Sequence, residues 1–138
     1  MAIYHIGLHG LKRAPSNEEM AARIAALEAE FATKPFIESW IAGRYFGNPQ
    51  DGYHDAGCLK FRDLEAYRTH MLDPHGKGDE ATMLRKMVSR VKAFDIITPD
   101  EPGDTEDRII ELYKARWEMF PEVAKALRED VDASFPFL

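Results

Sequence analysis

A chain of 138 residues, 45% apolar and 30% charged, is composed like an ordinary globular domain and is long enough to bury one core without covalent staples. A net charge of −6 with no run of Lys or Arg longer than two excludes a nucleic-acid footprint and disfavours docking on anionic membranes. A single cysteine, Cys58, excludes an intrachain disulfide, and no apolar stretch is long enough to span a bilayer.

The start, Met1-Ala2-Ile3-Tyr4-His5, has no basic segment leading into an apolar run, so a cytoplasmic location is expected. Ile3 to Leu11 reads as a strand. Tyr4, Ile6 and Leu8 alternate with His5, Gly7 and His9, so the two sets face opposite sides. Ser16 and Glu19 have the spacing of a capping box. Met20, Ile24, Leu27 and Phe31 then recur every three or four residues, which predicts an amphipathic helix of roughly four turns. Pro35 closes it. Phe36 to Phe46 reads as a second strand, the Gly47–Gly52 stretch as a turn-rich loop, and Tyr53 to Phe61 as a third strand in a hairpin with the second.

Asp63 is placed to cap a second helix through about His70, with Leu64 and Tyr67 inward. Leu72 to Gly78 contains Pro74, Gly76 and Gly78 and is expected to be irregular. Glu80 to about Arg90 reads as a third helix and Val91 to Ile97 as a fourth strand. The order is strand, helix, two strands, two helices, strand: the split β-α-β, ferredoxin-like plan. The fold class expected is therefore α+β, a four-stranded antiparallel sheet with helices on one face. Such a sheet leaves its other face bare and apolar, and a second copy of the chain is the commonest cover. A homodimer is expected.

Beyond Pro99 the composition changes. Residues 1–99 are read as the ferredoxin-like domain and 100–138 as a helical extension packed on the same domain or on a partner subunit. Asp100 to Asp104 is an acidic linker. A helix follows from Thr105, with Ile109, Leu112, Tyr113, Trp117 and Phe120 as its stripe, and Pro121 breaks it. A last helix is expected from Val123 to about Val131. The Phe135-Pro136-Phe137-Leu138 tail is too apolar to hang free and is expected to dock.

Three stretches bear a family likeness: Tyr4-His5-Ile6 in the opening strand; Gly52 to Gly57 leading into Phe61-Arg62-Asp63-Leu64-Glu65-Ala66-Tyr67; and Asp73-Pro74-His75. By these, residues 2–97 resemble the dimeric α+β barrel family known as the stress-responsive A/B barrel (Dabb) domain. The resemblance implies a homodimer whose two sheets meet as a barrel with helices outside. Its members include plant stress-response proteins and polyketide cyclases of the olivetolic acid cyclase type, and related barrels serve as monooxygenases, lyases or isomerases. The cyclase pair is a loop His and a nearby Tyr. Here the resemblance puts His75 at the loop position and His70 at the Tyr position, with Tyr67 one helical turn earlier.

The residues themselves offer further candidates. His5 and His9 share a strand face but stand about 13 Å apart, too far to bind one metal ion, and Gly7 between them leaves room for a ligand. If the apolar set of this strand faces a dimer interface, both histidines look toward the helices, where a pocket would lie. His75 sits in a glycine-flanked loop and is a natural general base near neutral pH; His70, near a helix end, is the other candidate base. Tyr45, Tyr53 and Tyr67 could polarise a carbonyl or phenol. Trp40 packs or borders a ligand. His54 and Asp55 point to opposite faces and form no dyad with each other, and Cys58 reads as an inert thiol. No phosphate loop or dinucleotide fingerprint is present, and no histidine spacing matches a metal-ligand pattern.

The expected function is a cofactor-free, proton-transferring enzyme with a His general base: a cyclase, lyase or isomerase acting on a small aromatic or polyketide-like molecule. His75, His70 and His5 are the catalytic candidates; His9, Tyr45, Tyr67 and Trp40 are the substrate contacts. The alternatives are a non-catalytic dimeric small-molecule-binding or stress-response protein, and a cofactor-independent monooxygenase. No metal, nucleic acid or membrane is expected, and the extension would lid the pocket.

Overall fold

The computed structural model describes residues 1–138. Strand β1 (Ile3–Leu11) is central, followed by helix α1 (Asn17–Ala32), strand β2 (Ser39–Arg44) and strand β3 (Asp55–Phe61). Helices α2 (Leu64–Met71) and α3 (Lys77–Met87) lead to strand β4 (Val88–Ile97). Helices α4 (Thr105–Met119) and α5 (Pro121–Glu129) and a short strand β5 (Asp132–Ser134) complete the chain. The sheet runs β2-β3-β1-β4-β5. The first four strands are antiparallel, and β5 adds to β4 in parallel. No helix is long and apolar enough to cross a membrane.

The expected capping devices form. Ser16 accepts from Glu19 N while Glu19 accepts from Ser16 N, and Asp63 accepts from Ala66 N at the start of α2. Three expectations need correction. Strands β2 and β3 are shorter than the runs Phe36–Phe46 and Tyr53–Phe61. Tyr45 and Tyr53 leave the ladder and pack edge to face, and the Tyr45 hydroxyl donates to Asp51 in the connecting turn. Helix α3 starts at Lys77 rather than Glu80. Gly76 takes φ 75°, a left-handed turn that glycine alone adopts at little cost, and it feeds the chain straight into the helix. The sheet has five strands rather than four. Asp-Ala-Ser carries no strand signal; it is held by the free edge of β4 and by the Arg90–Asp132 ion pair at 2.7 Å.

One core runs through the whole chain. Ile3, Leu59, Phe61, Tyr67, Met71, Leu84 and Val91 pack in one cluster with Ile109, Tyr113, Trp117, Val123 and Leu127 from the C-terminal segment. The tail docks on this same chain: Trp117 Nε1 donates to Pro136 O at 3.1 Å, and the Phe135 ring packs edge-on against the indole. On β1, Ile3, His5, Gly7 and His9 face the helices. Tyr4, Ile6 and Leu8 lie on the uncovered face with Ile41, Phe94 and Ile96, which remain 75%, 38% and 51% exposed.

Candidate functional site

Sheet register builds a cavity floor from three transverse rows. The middle row is Ala42–Gly57–Gly7–Ala93, small residues on all four antiparallel strands. On one side lies Trp40–Leu59–His5–Asp95, on the other Arg44–Asp55–His9–Val91. A helix packed over such a floor meets no side chain larger than a methyl group in the middle row, so space remains. That space is a cavity of about 500 Å³, bordered by His5, His9, His70 and His75 and roofed by α1 and α3. Its size is that of a small-molecule site.

Each strand histidine is held by a carboxylate on the adjacent strand. His5 Nδ1 lies 2.8 Å from Asp95 Oδ1, and His9 Nδ1 lies 2.9 Å from Asp55 Oδ1. The other oxygen of Asp95 accepts from Tyr67 at 2.8 Å and from Tyr113 at 2.7 Å. The second oxygen of Asp55 accepts from Arg23 Nε. Burial pushes both carboxyls up, but these donors and the neighbouring His and Arg charges outweigh it and hold each below the ordinary Asp value. Both are therefore ionised acceptors. An ionised carboxylate only accepts, so Nδ1 of His5 carries a proton and Nε2 is the nitrogen left to take or release one.

His70 has the opposite environment. Its ring packs on Phe61 and Phe36, and it stands 5.8 Å from the His5 ring, centre to centre. Burial first, then the charges of His5, Arg116, Lys77 and Lys34, press its pKa well below the usual imidazole value. It is neutral. Its Nδ1 is buried without a hydrogen-bond partner. A buried N–H without an acceptor is the costlier orphan, so the ring proton belongs on Nε2. His5 and His70 thus border one cavity as complementary groups: in its neutral form the first offers a lone pair at Nε2, and the second has a proton to share.

Four cations line the same space: Arg23, Lys34, Lys77 and Arg116. Arg23 is committed to Asp55. The other three surround the His70 end.

The remaining sequence candidates divide. His75 is exposed, at the cavity mouth. Tyr67 is fully buried and spends its hydroxyl on Asp95, and burial raises its pKa far above normal; it does not border the cavity. Trp40 stands behind Phe31, which does line it. Tyr45 lies in the β2–β3 turn, away from the cavity, contrary to the expected substrate contact. His54 uses Nδ1 to accept from Leu11 N at 2.9 Å. Sequence reasoning missed Asp95, Asp55, Tyr113 and Arg116. Two signals were present. In Val91-Lys92-Ala93-Phe94-Asp95-Ile96-Ile97, Asp95 falls in phase with the inward-facing Val91 and Ala93, and Asp55 is in phase with Leu59 and Phe61. A carboxylate at an inward position needs a partner.

No family model matches the chain, and no curated protein matches it. Solved structures do. A Dabb family protein with a ferredoxin-like fold from Mesorhizobium loti is 19% identical, with 70% of this chain and 96% of that one covered at a TM-score of 0.55. A hydroxynitrile lyase from Passiflora edulis is 16% identical, covering 73% of this chain and 97% of that one at 0.56. SnoaB, a cofactor-independent oxygenase from Streptomyces nogalater, is 18% identical, covering 74% and 97% at 0.52. Other matches are described as dimeric proteins of ferredoxin-like fold. At these identities the likeness shows the fold, and it supports the Dabb resemblance read in the sequence. Each of the three is matched almost end to end, while more than a quarter of this chain is left over.

Proposed function

We propose that the chain is a proton-transfer enzyme, a lyase, cyclase or isomerase acting on a small, partly apolar organic molecule. The observation that supports it is the pairing of an Asp95-oriented His5 with a neutral His70 across one cavity. His5 Nε2 takes a proton from the substrate. The Asp95 carboxylate stabilises the imidazolium that forms, as in other carboxylate-oriented histidine bases. His70 Nε2–H donates to the oxygen where negative charge develops. These roles differ from the expectation drawn from the sequence, in which His75 or His70 is the candidate base. The chain's own side chains supply every step. A lyase and a cofactor-independent oxygenase among proteins of this fold are in keeping with such a site.

The same reading makes the chain a homodimer. The uncovered sheet face carries an apolar row, Ile41–Cys58–Ile6–Phe94, across four strands, and proteins of this fold are described as dimeric. Sedimentation of Phe94→Lys against the parent chain tests this: the charge should yield a monomer.

The enzymatic reading is tested in D2O. Deuterium incorporation at acidic C–H positions of a panel of aromatic ketones and β-diketones is followed by proton NMR. Exchange above background that His5→Ala abolishes supports the base. Exchange undiminished in His5→Ala refutes it. Tight binding without exchange throughout the panel favours a binding protein instead.

A further inference from the structure

We propose that the ligand of this cavity carries a carboxylate, held at the His70 end by Lys34, Lys77 and Arg116. This names the substrate class of the site read above and so rests on that reading.

Three elements bring these cations together. Lys34 follows the C-terminus of α1, Lys77 is the first residue of α3, and Arg116 lies on α4; all three border the cavity. Their side chains are 13%, 17% and 9% exposed, so they are largely removed from bulk water. Such charges are kept only where a partner repays desolvation.

The partners present fall short. Arg116 has five N–H donors, yet its only oxygen acceptor within hydrogen-bond reach is Met71 O, at a long 3.4 Å. Glu80 lies 4.0 Å from it and serves Lys77 as well, at 3.1 Å. Lys34 is shared between Glu30 at 3.3 Å and Asp73 at 3.4 Å, the first of them half in solvent. Asp79 and Glu30 also border the cavity, but neither touches Arg116.

A second feature of the backbone points the same way. Gly76 stands at the N-cap of helix α3 and offers no side-chain cap, and the Gly78 and Asp79 N–H groups have no backbone acceptor. Unpaired N–H groups and the positive end of the helix dipole favour an anion there. A guanidinium fork, two ammonium groups and this turn match a carboxylate, which Arg can grip with two parallel bonds. Four acidic side chains, Glu30, Asp73, Asp79 and Glu80, stand around these cations and repel a doubly charged anion more than a singly charged one, which separates a carboxylate from a phosphate.

Calorimetry with three probes tests the inference: benzoate, methyl benzoate and phenyl phosphate. Benzoate is expected to bind at least tenfold tighter than its ester and tighter than phenyl phosphate. Lys77→Gln and Arg116→Gln should each cut the acid-to-ester ratio at least fivefold, while Lys114→Gln, on the outer surface, leaves it intact. Lys77→Gln removes an amine rather than a buried guanidinium and keeps the test open should Arg116→Gln not fold. Equal binding of acid and ester, no binding of benzoate, tighter binding of phenyl phosphate, or a ratio that survives Lys77→Gln would each overturn it. The readout is binding alone. An acid preference without exchange in D2O sinks the proton-transfer reading and leaves this one standing; exchange without acid preference does the reverse.

Discussion

The Tyr113 hydroxyl donates to Asp95 Oδ2 at 2.7 Å, so a residue of the C-terminal segment helps to hold the carboxylate that orients His5. Tyr67 donates to the same oxygen, and the two hydroxyls lie 3.3 Å apart. Burial, followed by the charge of Asp95, raises the Tyr113 pKa well above the phenol value, so this hydroxyl stays a donor at every pH the protein meets. Hydrogen bonds to a charged group contribute about 1.5–3 kcal/mol. Tyr113→Phe is expected to lower stability by about that amount, read as a shift of the urea midpoint at unchanged slope. It should slow exchange less than loss of His5, because Tyr67 still holds Asp95. An unchanged midpoint would show that the bond contributes nothing.

Asp95→Asn probes the ring's proton directly. An amide can present its carbonyl or its NH2 to His5 Nδ1. With Tyr67 and Tyr113 both donating to the far atom, the carbonyl is claimed there and NH2 is left facing the ring. His5 would then shift its proton to Nε2 and lose the lone pair that acts as base. General-base catalysis is worth about 10²–10⁴ in rate, so exchange should fall by about a hundredfold or more while benzoate affinity changes little. The nitrogen-15 spectrum of the ring reports the tautomer. An unshifted tautomer together with full exchange would remove Asp95 from the mechanism.

Much of this was legible in the residues, and what was missed has a physical reason. Alternation on β1 put His5, Gly7 and His9 on one face, and the structure keeps them there. The Asp63 cap, the Ser16–Glu19 box and the helix-breaking Pro121 are local devices, decided within a few residues. Pairing of Asp95 with His5 spans 90 residues and that of Tyr113 with Asp95 spans 18; both depend on which strands become neighbours. The row Ala42–Gly57–Gly7–Ala93 exists only once three registers are known. Strand β5 is tertiary in the same sense, since Asp132–Ser134 becomes a strand because β4 offers an edge. His75 shows the limit of local reasoning. A glycine-flanked histidine is a good base by type, but its loop leaves it at the mouth while His70 is carried inside.

His70 also sets a pH dependence. Its folded pKa is depressed by burial and by nearby positive charge, whereas in the unfolded chain it is near 6.5. Between those values the unfolded state binds a proton that the folded state refuses. Stability from this group is therefore fully present above about pH 6.5 and falls as pH drops below it, by at most about 1.4 kcal/mol per pH unit for one proton. Asp55 and Asp95 are shifted down relative to the ordinary Asp value, so their contribution is present above about pH 3.9 and is lost as pH falls through their folded values. The interval from about pH 5 to 6.5 lies above the range of these two carboxyls, and comparison with a variant that lacks the ring assigns the change to His70. Urea midpoints across it should fall on acidification in the parent chain, with a shallower fall in His70→Leu. Parallel profiles for the two proteins would contradict a neutral, buried His70.

The cavity floor makes the last prediction, because it separates folding from binding. A Cβ built on Gly57 meets nothing nearer than Ile41 O at 3.7 Å, and one on Gly7 meets only His9 Cε1 at 3.8 Å. Both are ordinary van der Waals distances, and neither glycine has the positive φ that would exclude a side chain. Glycine in a strand interior costs backbone entropy, and valine is a good strand former. Gly57→Val should therefore fold at least as well as the parent, with a gain of up to about 1 kcal/mol. Its side chain would rise from the middle row into the space between His5 and His9, where a ligand would lie. Thermal unfolding should show an equal or higher midpoint while benzoate binding and exchange are both lost. A variant that is stable and still binds would mean that the ligand does not lie over the small-residue row, and that the two His–Asp pairs do not face a shared site.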